Sequence, residues 1–346
     1  MLLSRATANW VGGLSDRLMQ RIPDFLLDPN PLSRDAYVSR LRFYADWDES
    51  RGFFSSPSTP PQAAVRESKP FRDGDRVLFA FPSGYIPHVE EMASELASHK
   101  NNQTAYLHLW RHAPEPGAVP RPLVLCVHGF GMSGPTRAEV MFKIDRLFDA
   151  GMDVALHTLP HHWRRATKRR RDQFLRPQDV PFTLEEWGRN IHDLHASVAW
   201  LGQLGYNRIG MIGASLGGLT AALYATMPNP LEFIFLVVPA VDLAVQMAPR
   251  PSRMHFPVDA EVAQLSARAL QRIVPYRLPL MMDPKHVGIV AHQGDMICPI
   301  AHTRRLAAAW SIENFTEVVG GHWVYLDRSV RGRKWYGFLA DHGFLA

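Results

Sequence analysis

The chain has 346 residues, of which 46% are apolar, enough for one large α/β domain with insertions or for two smaller domains. No run approaches the roughly 18 consecutive apolar residues of a membrane span, and the only two cysteines, Cys126 and Cys298, exclude a disulfide framework and fit a reducing compartment. Net charge is +5, from 38 basic and 33 acidic residues, and the run "RRATKRRR" from Arg164 to Arg171 alone holds six cations.

The opening "MLLSRATANWVGG" lacks the continuous apolar core of a secretory signal. With Asp16, Asp24 and Asp28 soon after it, the segment reads as part of the protein, in an N-terminal helix, and a cytoplasmic location is expected. "SRDAYVSRLRFYADW" places Tyr37, Leu41, Tyr44 and Trp47 at spacings of four, three and three, which predicts an amphipathic helix. "FSSPSTPPQAAVRESKP" then reads as a Ser/Pro-rich extended connector. Residues 1–75 therefore predict an accessory helical region and linker, and residues 76–346 the main domain.

Strands are predicted at Val77–Phe81 and Ala105–Trp110, and from residue 122 the pattern becomes regular. "PLVLCVHG" is a buried strand ending in a loop, with Cys126 as a core thiol. "PTRAEVMFKIDRLFDAG" is a helix stopped by Gly151, and "MDVALHTLP" is another strand. In "LEEWGRNIHDLHASVAWLGQLG", residues Trp187, Ile191, Leu194, Val198 and Leu201 mark one face of a helix. The strand Arg208–Ile212, a helix after Ser215 and the strand "FIFLVVP" follow. "HVGIVAHQGD" and "NFTEVVGGH" are two further strand-to-loop passages, separated by the helical "HTRRLAAAWS". Such alternation predicts an α/β protein whose mostly parallel sheet is covered by helices on both faces, with functional residues in loops at the carboxyl ends of strands.

"GASLGG" fits that expectation, because it sets Ser215 between a strand and a helix. A serine hydroxyl is a weak nucleophile unless a base takes its proton, and the base needs a carboxylate to orient it. Both follow in sequence: Asp295 ends "GIVAHQGD" and His322 lies in "VVGGHW", each at the end of a different predicted strand. Asp242 in "VPAVDLA" is the rival acid, less favoured because Asp295 stands immediately at its strand's end. An oxyanion hole needs backbone N–H groups near the nucleophile. Leu216, next after Ser215, and Phe130, in "HGFG", are the candidates, with His128 read as a loop organiser. Cys298 is read as a packing residue.

Together these residues resemble the α/β-hydrolase superfamily, over roughly Val77 to Ala340. The resemblance rests on "HGFG", "GASLGG", the Asp in "HQGD" and the His in "GGHW". It implies an eight-stranded, mostly parallel sheet and a catalytic Ser215–His322–Asp295 triad. The implied chemistry is acyl transfer through an acyl-enzyme on a small-molecule ester, with thioester cleavage, transfer to another acceptor, or a non-catalytic binding role as alternatives. It also implies a lid between about residues 239 and 286. A looser similarity, through "LPHHWRR…RRRDQF" and "GASLGG", to the eighteenth group of abhydrolase-domain proteins favours lipid-like acyl substrates.

The basic run admits three readings: a solvated surface, a clamp for an anionic substrate group, or contact with nucleic acid or an anionic membrane surface. His161, His162, Arg164 and Arg165 are the substrate-binding candidates there. No nucleic-acid signature or aromatic platform accompanies them, so no nucleic-acid partner is expected. The chain lacks H-E-x-x-H and any clustered Cys/His pattern, so no metal or cofactor is expected either.

Overall fold

A computed structural model describes residues 7, 9, 10, 13, 16, 32–114, 117, 119–132, 134–166, 174–251, 254–324 and 328–345. Nine strands form one sheet: β1 (Ala64–Phe71), β2 (Gly74–Pro82), β3 (Thr104–His112), β4 (Leu123–Val127), β5 (Asp153–His157), β6 (Ile209–Ala214), β7 (Phe233–Val237), β8 (Val287–His292) and β9 (Phe315–Val318). Their order across the sheet is β1-β2-β3-β5-β4-β6-β7-β8-β9. The first three and the β3–β5 pairing are antiparallel, and β5-β4-β6-β7-β8-β9 run parallel. The sheet is therefore mostly parallel, with nine strands among the described residues where the resemblance implied eight.

Among the described residues the helices are α1 (Arg34–Ala45), α2 (Ala93–Ser98), α3 (Pro135–Phe142), α4 (Ile144–Asp149), α5 (Val180–Gln203), α6 (Leu216–Tyr224), α7 (Ala244–Met247), α8 (Ala260–Ala269), α9 (Ile300–Ala309) and α10 (Arg328–Asp341). Every residue of β4, β5, β6, β7 and β8 is buried, which is why these strands read as unbroken apolar runs rather than alternating ones. Two hydrophobic clusters cover the two faces. One includes Leu125, Met211, Leu236 and Ile289 under α5 and α6, and the other Cys126, Ile212, Phe235 and Val290 under α3, α4 and α10.

Helix α5 begins where Asp179 accepts a hydrogen bond from the Phe182 amide and Pro181 occupies the first turn, a capped start with a pre-set φ. Its Trp187, Ile191, Leu194, Val198 and Leu201 all enter the core, as their spacing predicted. Helix α1 joins the same core through Tyr37, Leu41 and Tyr44, as spaced, and through Val38, while Trp47, the fourth of the predicted series, lies past the helix end and packs partly buried against the core. Its polar side bonds the chain between β7 and β8: Arg34 pairs with Asp259 and Glu261, and Arg42 with Glu261.

Two expectations are corrected. The Ser/Pro-rich connector contains β1, which pairs antiparallel with β2 and is mostly exposed, so its sequence carries no apolar alternation to betray it. The single helix expected at 135–151 is two, α3 and α4, because Lys143 adopts a left-handed backbone conformation (φ 51°) between them.

Candidate active site

Ser215 sits on the turn between β6 and α6 with φ 54° and ψ −115°, a backbone conformation an L-residue holds only under constraint. The constraint is visible: its amide donates to Val237 O on β7 (2.9 Å), and its carbonyl accepts from the amides of Leu219 and Ala240. The neighbouring glycines let the turn close. A Cβ on Gly217 would lie 2.0 Å from Val127 O at the end of β4, and one on Gly213 would lie 2.2 Å from Gly217 O. No larger residue fits at either position without moving the sheet, so the sequence G-A-S-L-G is a packing requirement as well as a motif.

His322 follows β9 and Asp295 follows β8. The structure brings both to Ser215. His322 Nε2 lies 3.0 Å from Ser215 Oγ, and His322 Nδ1 lies 2.7 Å from Asp295 Oδ2. The other carboxylate oxygen, Oδ1, accepts from the amides of Ile297 (2.9 Å) and Cys298 (2.6 Å), which fixes the plane of the acid. His322 and Asp295 are buried, whereas Ser215 is half-buried at the surface of the site. The rival Asp242 turns elsewhere and accepts from Tyr276 Oη and the Ala244 amide. Burial works against the charged imidazolium of His322. The adjacent Cys298 sulfur and the Asp295 carboxylate outweigh it and hold the His322 pKa well above its usual value.

No family model matches the chain. Two uncharacterized proteins of Mycobacterium tuberculosis are each 28% identical to it over 289 residues, 82% of this chain and 68% of theirs. Among solved structures, the acetyl xylan esterase of Paenibacillus sp. R4 superposes with a TM-score of 0.58 at 12% identity, covering 94% of this chain and 98% of its own. Acetyl xylan esterase 1 of Thermoanaerobacterium sp. JW/SL YS485 does so with 0.59, at the same identity and coverage. The chain has the α/β-hydrolase fold.

In this α/β-hydrolase fold the β4 loop carries Phe130, and it reaches the serine. A Cβ on Gly129 would meet Ser215 Cβ at 3.3 Å, a tight contact, and Oγ at 3.8 Å, so the backbone of this loop lies directly against the serine. Leu216, the other oxyanion candidate, opens α6 directly beside Ser215. The loop is braced from behind. His128 Nδ1 lies 2.9 Å from Gly129 O while its Nε2 accepts from the Leu159 amide, and Trp163 Nε1 donates to Met132 O. His162 Nε2 accepts from the Gly131 amide at 3.4 Å, and its Nδ1 lies 2.8 Å from Pro160 O. Burial lowers the His162 pKa to about 4 and keeps the ring neutral, as acceptance from Gly131 requires.

The four residues singled out beside the basic run are thus divided. His162 supports the β4 loop. His161 is buried against Asn102 and Glu186, and exposed Arg164 pairs with Glu67. Arg165 is fully buried, and its guanidinium is committed to Asp193 (2.7 Å), Asn102 and Thr158 O. That overturns the expectation of an anion clamp at this residue, because a guanidinium closed inside the protein on a carboxylate offers no face to a ligand. Lys168 through Arg171 lie outside the described residues.

Two features beside the site escaped sequence reasoning. Cys298 packs in the hydrophobic core as expected, and its sulfur in addition stands with Asp295 and His322 in a group whose ligand atoms lie within 4.8 Å of one another. A metal could be held only by displacing the hydrogen bonds that already occupy the carboxylate and the ring. Asp16, from a segment with no recognisable motif, accepts hydrogen bonds from the backbone amides of His322 (2.8 Å) and Met296 (3.0 Å). A surface concavity lined by Glu232, Lys285, His286 and His342 lies at the opposite, amino-terminal end of β7 and β8 and contains none of these groups.

Proposed function

We propose that the protein is a serine hydrolase that cleaves carboxylic esters. The observation that carries the reading is the Ser215–His322 contact of 3.0 Å on a strained strand-to-helix turn, with Asp295 on the far side of the ring. His322 takes the hydroxyl proton as Ser215 Oγ bonds to the ester carbonyl carbon, and the amides of Leu216 and Phe130 receive the negative oxygen. Collapse expels the alcohol, which leaves with the proton held by His322. Water then repeats the sequence on the acyl-enzyme and releases the acid. The esterase names of the structural neighbours support the ester as substrate class. Large exposed apolar side chains on the surrounding loops, Phe130, Met296, Trp323 and Val324, support an apolar acyl group.

The chain from 239 to 286 is the lid in this reading. It leaves β7 on the side of Ser215, and Gln246 Nε2 donates to Ile297 O next to the acid loop.

Labelling with a fluorophosphonate probe tests the proposal. An adduct on Ser215, located by mass spectrometry and absent in Ser215→Ala, is the expected result. Folded wild-type protein that takes no label at Ser215 would favour a binding role on the same scaffold. A panel of p-nitrophenyl esters and acyl thioesters, with water or added alcohols as acceptors, then separates hydrolysis from transfer.

A further inference from the structure

The described residues of the N-terminal segment, Thr7, Asn9, Trp10, Gly13 and Asp16, are helical. Asn9, Gly13 and Asp16 are spaced by four and three, so they share one helix face. That face lies against both loops that carry the general base and its acid. Asn9 Oδ1 accepts from the Gly320 amide at 2.8 Å, two residues before His322. The Asn9 backbone is packed so closely on Gly294 that a Cβ there would meet Asn9 O at 2.6 Å. A Cβ on Gly13 would meet Met296 Cγ at 3.1 Å and Gly294 O at 3.3 Å.

Asp16 completes the contact. It is fully buried, and its Oδ2 accepts from the amides of both Met296 and His322. One carboxylate oxygen thus ties the residue after Asp295 to the backbone of His322 itself. The other, Oδ1, is buried with no hydrogen-bond partner among the described residues. A buried carboxylate half-satisfied among the described residues lowers stability relative to an apolar residue of similar size, so its two amide contacts point to position rather than to stability.

We infer that Asp16 is a positioning residue for the site. The Asn9–Gly13–Asp16 face sets the separation of the Asp295 and His322 loops, and with it the 2.7 Å and 3.0 Å contacts on either side of the imidazole. The inference rests on the serine-hydrolase reading. It makes the N-terminal segment part of the reacting unit, although the segment touches neither Ser215 nor the oxyanion loop in any contact described above.

The test uses the full-length chain with Asp16→Ala and Asp16→Asn. Readouts are the fluorophosphonate labelling rate at Ser215, and kcat and KM on p-nitrophenyl acetate across pH, with active sites counted by stoichiometric labelling. Asp16→Ala should lower kcat per labelled site by about 10²-fold, the scale of a displacement of roughly 1 Å at reacting groups, with KM changed less than about threefold. Asp16→Asn keeps an acceptor oxygen for the two amides and should recover most of that loss. Wild-type kcat per labelled site in Asp16→Ala overturns the inference, even if fewer sites label or the melting temperature drops. If Asp16→Ala does not fold, an Asn9→Ala, Asp16→Asn double variant with wild-type kcat per labelled site overturns it equally. Wild-type protein that fails to label at Ser215 removes the underlying reading, and the inference falls with it.

Discussion

Asp295→Asn is the substitution whose effect follows most directly from the geometry. At Asp295 the Oδ1 position receives two backbone N–H groups, from Ile297 and Cys298, and the Oδ2 position faces His322 Nδ1 at 2.7 Å. An amide placed there must put its oxygen toward the two backbone donors, because its NH2 group has nothing to donate to on that side. The NH2 group is then held against His322 Nδ1, which has to act as acceptor. The ring proton moves to Nε2, the atom facing Ser215 Oγ, so the imidazole can no longer receive the hydroxyl proton. A wrong tautomer in otherwise intact geometry costs about 10⁴-fold in kcat, or roughly 5 kcal/mol of transition-state stabilisation. Steady-state hydrolysis of p-nitrophenyl acetate at pH 8 measures it, with circular dichroism to show an unchanged fold. An activity within tenfold of wild type would refute the tautomer argument and with it the assignment of Asp295.

Further outcomes follow from the same structure. His322 must be neutral to accept a proton and its pKa is raised, so kcat/KM should fall as pH drops through a value above 6.5; an acid limb at or below 6.5 contradicts the pairing. Gly217→Ala forces a methyl to within 2.0 Å of Val127 O, and should abolish labelling at Ser215 and lower the melting temperature by the equivalent of about 3 kcal/mol or more. Asp193→Ala strands the buried Arg165 guanidinium and should destabilise the fold by about 3–5 kcal/mol in urea unfolding, whereas Arg164→Ala, at an exposed pair, should cost less than about 1 kcal/mol. His157 and His162 are buried with pKa values lowered to about 4. The unfolded chain binds their protons below pH 6.5 and the folded chain does not, so stability present above 6.5 is lost as pH falls toward 4, by up to about 1.4 kcal/mol per pH unit for each ring. Acid titration of unfolding free energy, compared with His157→Gln, measures the slope.

The parallel part of the sheet was legible because burial on both faces leaves strands such as Leu123–Val127 and Phe233–Val237 with no polar interruption. Ser215, Asp295 and His322 could be read because each stands where an apolar run gives way to a loop. What stayed hidden lacks any local signal. The strand at Ala64–Phe71 is exposed, so alternation is missing, and Lys143 breaks a helix at a residue type that usually continues one. Arg165 looks like a surface cation in the sequence because its partner Asp193 lies 28 residues farther on and the pairing exists only in the folded interior. Asp16 meets amides 280 and 306 residues away, beyond the reach of any periodicity.

Those separations bear on how the chain folds. Ser215 and His322 are 107 residues apart, and the contacts of Asp16 span nearly the whole chain. Each closes a long loop whose entropy is lost before the parallel strands repay it, so formation of this region is governed by non-local pairing and is slow. The 24-residue helix Val180–Gln203, built from local contacts, needs none of those closures. During refolding, helical signal should therefore return well ahead of Ser215 reactivity, which makes that serine a reporter of the finished topology.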